Sequence, residues 1–188
     1  MSRLDPVLDA ATVVLVEGES DRLAVAALAR RAGRDLAAEG VAVLAMGGAT
    51  NVGRHVSELG PGGQGLRLAG LCDAAEAPYF RRALARAGVG DGPLERHGFF
   101  VCNADLEDEL IRSLGLPAAE RVVADLGEAG RLATFRNQPA QRGRPGAAQL
   151  RRFLGTRSGR KASYAAALVE ALPDGAAPSP LARLLAHV

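Results

Sequence analysis

The sequence predicts an α/β fold in which a four-stranded, mainly parallel sheet is flanked by helices and continues into a helical C-terminal segment. Four short apolar runs, the first of them rich in β-branched residues, alternate with Ala- and Leu-rich stretches of helical periodicity. Each run ends in glycine or polar residues that suit a turn. After Pro117 only helical stretches broken by Gly and Pro remain. Such alternation is typical of βαβ units in a parallel sheet.

The predicted elements follow one another with short connections. The strands are expected at residues 12–16, 41–45, 66–72 and 98–102. The first helix is expected at residues 20–32 and the second at 52–59, and the next two end near residues 87 and 114. We therefore predict an α/β core over residues 1–116 and a helical extension packed on it over residues 117–188.

Charge is distributed unevenly along the chain. Residues 129–169 contain no Asp or Glu but nine of the 23 basic residues, whereas the remainder is acidic. A basic segment after an acidic one suggests a polyanionic partner, although charged runs are usually solvated helix faces. No apolar run is long enough to span a bilayer. The two cysteines lie in strand-like runs without metal-site spacing, so we expect buried, reduced thiols and a cytoplasmic location.

Acidic residues follow three of the four predicted strands. Glu17 comes after the first strand, Asp73 after the third, and Asp105 just beyond the fourth. Asp21 and Glu76 lie about one helical turn beyond Glu17 and Asp73, and Glu107 follows Asp105 closely. Each acid taken alone is explained by helix capping. Because parallel strands share one carboxyl edge, we expect these acids to crowd into one cleft.

Crowded carboxylates must take up protons or bind cations. A set of oxygen ligands without His or Cys favours Mg²⁺ or Mn²⁺ over zinc. Two such ions a few ångströms apart suit in-line displacement at phosphorus.

The turn after the second strand is rich in glycine. Gly47 and Gly48 would let backbone amides approach a phosphate, with Thr50 and Asn51 beside them. The same residues also suit any tight strand-to-helix turn with a cap, and the turn lacks a Walker lysine.

Lys161 is the single lysine of the chain, because every other basic side chain except His is Arg. It stands in the basic segment, where a compact ammonium is either retained for its chemistry or present by chance.

Together these stretches resemble a TOPRIM domain, most closely the branch found in the overcoming lysogenization defect (OLD) nucleases. The resemblance covers about residues 12–170 and is carried by four segments in this order. They are Val16-Glu17-Gly18-Glu19-Ser20-Asp21, Gly47-Gly48-Ala49-Thr50-Asn51, Leu71-Cys72-Asp73 and Ala104-Asp105-Leu106-Glu107-Asp108-Glu109-Leu110.

The resemblance implies a Rossmann-like parallel sheet and Mg²⁺-dependent phosphodiester chemistry on DNA. Glu17 and Asp21 match the first acidic pair of the family, and Asp73 matches the first acid of its DxD-type motif. Asp105 and Glu107 match the acids of the last strand–helix motif. Lys161 is similar to the C-terminal lysine thought to stabilise transition-state charge.

Two features depart from the family pattern. Ala75 stands where the second Asp of the DxD-type motif is expected, so either Glu76 reaches the same ion or one metal site is weakened. The chain also has no Walker A loop, whereas OLD nucleases carry an ABC-type ATPase ahead of the TOPRIM domain. We therefore expect a fragment, a partner of a separate ATPase, or a free-standing domain.

The predicted function is a Mg²⁺- or Mn²⁺-dependent DNA endonuclease using two ions, with Glu17 and Lys161 as catalytic residues. The basic segment would follow the phosphate backbone of DNA. The arginines expected to do so are Arg142, Arg144, Arg151, Arg152, Arg157 and Arg160.

Alternatives are a non-cleaving TOPRIM module that binds nucleic acid or a partner, which Ala75 favours, and nucleotidyl transfer as in primases. A structural α/β domain whose acids only cap helices is a fourth interpretation. A homodimer would bring together the two active sites needed to cut both strands.

Overall fold

A computed structural model describes residue 7 and residues 9–156 and 158–188, apart from the side chains of residues 158–160. The strands are β1 (Thr12–Val16), β2 (Val41–Ala45), β3 (Arg67–Asp73) and β4 (Phe99–Cys102). Between them lie α1 (Glu19–Arg31), α2 (Val52–Leu59) and α3 (Ala77–Arg86). After β4 come α4 (Leu106–Leu114), α5 (Leu116–Asp125), α6 (Ala129–Arg136), α7 (Gly146–Gly155), α8 (Ser158–Glu170) and α9 (Ser179–His187).

The four strands form one parallel sheet in the order β2-β1-β3-β4. Val14 of β1 is aligned with Val43 of β2 on one side and with Ala69 of β3 on the other. The chain passes from β1 outward to β2 at one edge of the sheet and from β3 outward to β4 at the other edge. The order of strand addition therefore reverses between β1 and β3, although all four strands run parallel. A ligand crevice is expected at the carboxyl ends of the strands at such a point.

Alternate residues of β1 belong to two separate hydrophobic layers. Val14 and Val16 pack with α1, α4, α5 and the later helices, whereas Val13 and Leu15 pack with α2 and α3. All four side chains are completely buried, as expected for a central parallel strand covered on both faces. The molecule is therefore a three-layer α/β structure.

The C-terminal helices complete one of these layers. Leu168 and Val169 of α8 are fully buried in the cluster that contains Val14 and Val16, and Leu184 of α9 joins it. Arg31 at the end of α1 and Arg34 shortly after it also bind the C-terminal helices. Arg31 donates hydrogen bonds to the carbonyls of Glu170 and Leu172, and Arg34 to those of Leu185 and Val188.

The predicted fold class is confirmed, and the strands lie within one residue of their expected positions. The largest shift concerns β3, which begins at Arg67 and includes Asp73. The Leu66 amide closes the preceding loop by donating to the Leu59 carbonyl, so the ladder to β1 starts at Arg67. Both cysteines are free and buried. Among the described residues, no helix combines the length and apolar character of a membrane span.

Candidate metal centre

The carboxyl ends of β1 and β3 bring the first acids together. Glu17 directly follows β1, and Asp73 is the last residue of the neighbouring β3. Glu76 follows in the turn that leads to α3. One carboxylate oxygen from each of Glu17, Asp73 and Glu76 lies within 4.8 Å of the others. We call these three residues the acidic cluster.

The acidic cluster has the features of a cation site. All three side chains are half-buried, and Glu76 Oε2 is buried without a hydrogen-bond partner among the described residues. A buried carboxylate oxygen without a donor is unfavourable unless a proton or a cation binds it. The donors are all oxygen atoms, which is the ligand type that Mg²⁺ and Mn²⁺ prefer.

The pKa values of the acids follow from this crowding. Burial raises the pKa of Asp73 to about 8, and the carboxylates of Asp21, Asp105, Glu17 and Glu76 add to the shift. Burial likewise raises the pKa of Glu76 to about 7, reinforced by its contact with Glu17. Without a cation, the cleft therefore retains protons near neutral pH.

Asp21 lies at the side of the acidic cluster, in the first turn of α1. Its Oδ2 accepts a hydrogen bond of 2.9 Å from the Gly18 amide, which fixes the turn after β1. Burial raises the pKa of Asp21 to about 6, although the hydrogen bond from Gly18 lowers it. The negative charges of Glu107 and Glu17 raise the pKa further. Asp21 thus both caps α1 and faces the cleft.

The two predicted acids of α4 are each paired with a cation from a C-terminal helix. Asp105 caps α4, because its Oδ1 accepts from the Asp108 amide at 2.8 Å. Its Oδ2 accepts from Arg151 Nε at 2.6 Å. Glu107 is buried, and its Oε1 lies 3.1 Å from Lys161 Nζ. Neither α4 acid belongs to the acidic cluster.

Lys161 reaches the cleft from α8, so the most distant predicted residue does converge on the acids. Burial opposes the charge on its ammonium, but the Glu107, Asp21 and Asp105 carboxylates raise the pKa of Lys161 above its usual value. The lysine therefore stays protonated beside the acids.

The predicted arginines take different positions. Arg142, Arg144 and Arg152 are exposed, and Arg144 Nε donates to the Ala140 carbonyl. Arg151 contacts Asp105, as described above. Arg157 lies outside the described residues, and so does the side chain of Arg160.

The glycine-rich turn has a structural role that differs from the expected phosphate contact. The amides of Gly47 and Gly48 donate to the Glu17 carbonyl at 3.0 and 3.1 Å. Asn51 Nδ2 closes the turn through the Met46 and Gly47 carbonyls, and Thr50 is exposed. Since both glycine amides are engaged, the turn supports the backbone of Glu17 instead of offering these amides to an anion.

The role of one residue of the site and one contact within it were not recognised from the sequence. Glu109 is buried, accepts from the Asn103 amide at 2.8 Å and pairs with Arg112, so it fixes the turn between β4 and α4. The specific contact of Arg151 with Asp105 spans 46 positions. The run of acids at the start of α4 indicates the role of Glu109. No local pattern in the sequence indicates the contact of Arg151 with Asp105.

Comparisons with known proteins agree with this architecture. The family model of the overcoming lysogenization defect protein-like TOPRIM domain matches residues 10–60. No curated protein sequence gives a significant match. Structures of the C-terminal region of the Xanthomonas campestris pv. campestris OLD protein align over nearly the whole chain. The platinum-phased structure has 25% identity, a TM-score of 0.71, and coverage of 97% of this chain and 94% of that one.

Two further structures give the same result. The iodine-phased form of the Xanthomonas campestris pv. campestris protein has 27% identity, a TM-score of 0.66, and coverage of 96% and 94% of the two chains. The C-terminal region of the Burkholderia pseudomallei OLD protein has 22% identity, a TM-score of 0.69, and coverage of 95% and 96%, which supports the fold. The matched family model and the likeness over the whole chain agree: residues 10–60 match the OLD-like TOPRIM domain, and the chain as a whole is similar to the C-terminal regions of OLD proteins.

Proposed function

We propose that this protein is a Mg²⁺- or Mn²⁺-dependent DNA endonuclease that hydrolyses phosphodiester bonds. An OLD-like TOPRIM domain is a nucleic-acid-related module, which gives the class of substrate. The observation that carries the proposal is the acidic cluster, in which carboxylate oxygens of Glu17, Asp73 and Glu76 lie within 4.8 Å of one another. The ion pair of Lys161 with Glu107 lies in the same cleft.

The residues of the cleft divide into metal ligands and cations. Glu17, Asp73 and Glu76 would hold one ion, with Asp21 at its side, and Asp105 and Glu107 would supply ligands for a second. Bound divalent ions supply Lewis-acid activation of water and stabilisation of the leaving oxygen. Lys161 would stabilise negative charge that develops on the phosphorus-bound oxygens. Glu76 takes the part of the acid that Ala75 replaces.

The basic segment supports DNA as the substrate. Arg142, Arg144 and Arg152 are exposed, so DNA phosphates would be able to reach these side chains. An ABC-type ATPase acting together with this domain is part of the same proposal, because the resemblance is to proteins in which the two occur together.

The decisive test is cleavage of supercoiled plasmid in Mg²⁺ or Mn²⁺ by the native chain, Glu17→Ala and Lys161→Ala. We expect nicked or linear products from the native chain and a loss of rate of at least about 100-fold in each variant. Arg86→Gln, which removes an exposed cation outside both the cleft and residues 129–169, is the control. If neither variant slows cleavage, the assigned site is wrong.

A second function is favoured by one observation. Ala75 replaces a metal-binding acid, and Asp105 and Glu107 are both held in ion pairs, which would suit a module that binds DNA without cutting it. In that case the native chain retards DNA in a gel at low salt and binds a divalent ion, but converts no form of DNA.

A further inference from the structure

Five of the six predicted acidic ligands fall into two electrostatically different groups. Glu17, Asp73 and Glu76 face one another without a basic side chain bound to them in the described part of the chain. Asp105 and Glu107 instead face Arg151 and Lys161 at 2.6 and 3.1 Å. The acidic cluster is thus open to a metal cation, whereas Asp105 and Glu107 are already paired with basic side chains of the protein.

Arg151 occupies Asp105 in a way that opposes a metal ion. Asp105 Oδ1 accepts a hydrogen bond from the Asp108 amide, so Oδ2 is the oxygen left for a further partner, and Arg151 Nε binds it. A guanidinium at this distance repels a divalent cation that approaches the same oxygen. Metal binding at Asp105 therefore requires Arg151 to leave.

A DNA phosphate is a second binding partner available to Arg151. The Arg151 side chain is 41% exposed, and the Asp105 side chain that it binds is 21% exposed, whereas the Glu107 side chain that binds Lys161 is 4% exposed. A guanidinium fork binds phosphate oxygens at least as well as a carboxylate, and phosphate contacts are what arginines make most often on DNA. The charges of Asp108 and Asp73 also act on Arg151, so it stands at the mouth of the acidic cleft.

The contact is not needed to hold α7 in place. Leu150 and Leu154 are completely buried in the core on either side of Arg151, and Phe153 packs against Tyr164 and Phe135. These apolar contacts anchor the helix whether or not Arg151 is paired.

We propose that Arg151 competes with a divalent ion for Asp105 and transfers to a DNA phosphate when substrate binds. DNA binding then frees Asp105, so loading of the ion at the α4 acids is coupled to the presence of substrate. Arg151 is a phosphate-binding and positioning residue of the site, distinct from the exposed arginines of the basic segment. The DNA part of this inference rests on the function proposed above.

The test is calorimetric titration of the full chain with Mn²⁺ in the absence of DNA, comparing native protein, Arg151→Gln and Arg152→Gln. Arg152 is the exposed neighbour on α7, and its substitution removes the same charge. We expect Arg151→Gln to bind Mn²⁺ more tightly, on the order of tenfold, or to bind one more ion, because Asp105 is released. Arg152→Gln is expected to bind as the native chain does.

DNA binding measured in Ca²⁺ should change in the opposite direction, with a larger loss in Arg151→Gln than in Arg152→Gln. Should Arg151→Gln fail to fold, Arg151→Lys replaces it, and its looser hold on Asp105 is expected to give a smaller gain in Mn²⁺ affinity. Equal Mn²⁺ binding by all variants, or weaker binding by Arg151→Gln, overturns the inference.

The two proposals fail separately. If the native chain never cleaves DNA but Arg151→Gln gains Mn²⁺ affinity, the nuclease assignment is lost and the competition for Asp105 remains. If the native chain cleaves DNA and Arg151→Gln leaves Mn²⁺ binding unchanged, only the competition is lost.

Discussion

Individual acids in this protein combine a structural and a chemical role. Asp21 binds the Gly18 amide and Asp105 binds the Asp108 amide, so the capping interpretation of both residues is correct as far as it goes. The same turns aim their carboxylates at one cleft. The acidic ends of the strands could be predicted from the sequence because strand, turn and acid are consecutive in the chain. The ion pair between Asp105 and Arg151 could not, because it depends on where α7 docks.

The raised pKa values predict an unusual dependence of stability on pH. Asp73 has an ordinary pKa of 3.8 and a pKa of about 8 in the folded protein. Between these values the folded state holds a proton that the unfolded state has released, so this group lowers the free energy of unfolding as pH rises from about 4 to 8. Glu76 and Asp21 act in the same direction.

We therefore expect metal-free protein to lose thermal stability between pH 5 and 8, and Mg²⁺ to raise Tm more at pH 8 than at pH 6. Asp73→Asn, which cannot ionise, is the control and should show a flatter profile. The explanation is wrong if thermal unfolding of native protein and Asp73→Asn has the same pH dependence.

At the scale of elements, the central strands are specified by local pattern and by close packing. β1 and β2 lie at their predicted residues because short runs of apolar and β-branched residues fit a sheet buried on both faces. The C-terminal helices were recognisable as helices, but their partners were not. Their apolar faces contain Ala and Leu, which fit many surfaces equally well, so the contact of α8 with α1 follows only from the tertiary structure.

Substitution of Gly70 in β3 tests how closely the central strands pack. A Cβ at this position would lie 2.5 Å from the Leu15 carbonyl oxygen and 2.7 Å from the Phe99 ring. Gly70→Ala should therefore lower the free energy of unfolding in urea by about 1–3 kcal/mol, the usual cost of overpacking.

The matched control is Gly130→Ala in α6, where an added Cβ meets no described atom within 4 Å. It should be neutral or stabilise by about 0.5–1 kcal/mol, because Ala favours a helix. Equal effects of the two substitutions would show that strand spacing at Gly70 tolerates a side chain.

The whole molecule joins an α/β core to helices that contribute both apolar contacts and cations. The cluster around Val14 includes buried residues from α1 and from α4 through α9, so the helices that carry Asp21, Glu107, Arg151 and Lys161 share one continuous core. The sequence indicated a basic segment and an acidic edge, but their mutual contact is a property of the assembled fold.

The exposed arginines of the basic segment predict a salt-dependent interaction with DNA. Replacing Arg142, Arg144 and Arg152 with Gln together should weaken DNA binding and lower the slope of log affinity against log salt by about 3. The control replaces Arg54, Arg86 and Arg96, which are equally exposed but lie outside residues 129–169.

Gel retardation or fluorescence anisotropy at several salt concentrations measures the DNA affinity of both triple variants. Identical slopes for the two triple variants would assign DNA binding to another surface, and binding that is insensitive to salt would exclude the phosphate-tracking role.

The most direct test of the central claim is a crystal structure of the chain with Mn²⁺, read from anomalous scattering. We expect an anomalous peak bounded by the carboxylates of Glu17, Asp73 and Glu76, and we expect Glu17→Ala to lose it. A fully occupied Mn²⁺ elsewhere, with these three carboxylates empty at a saturating concentration, would contradict it.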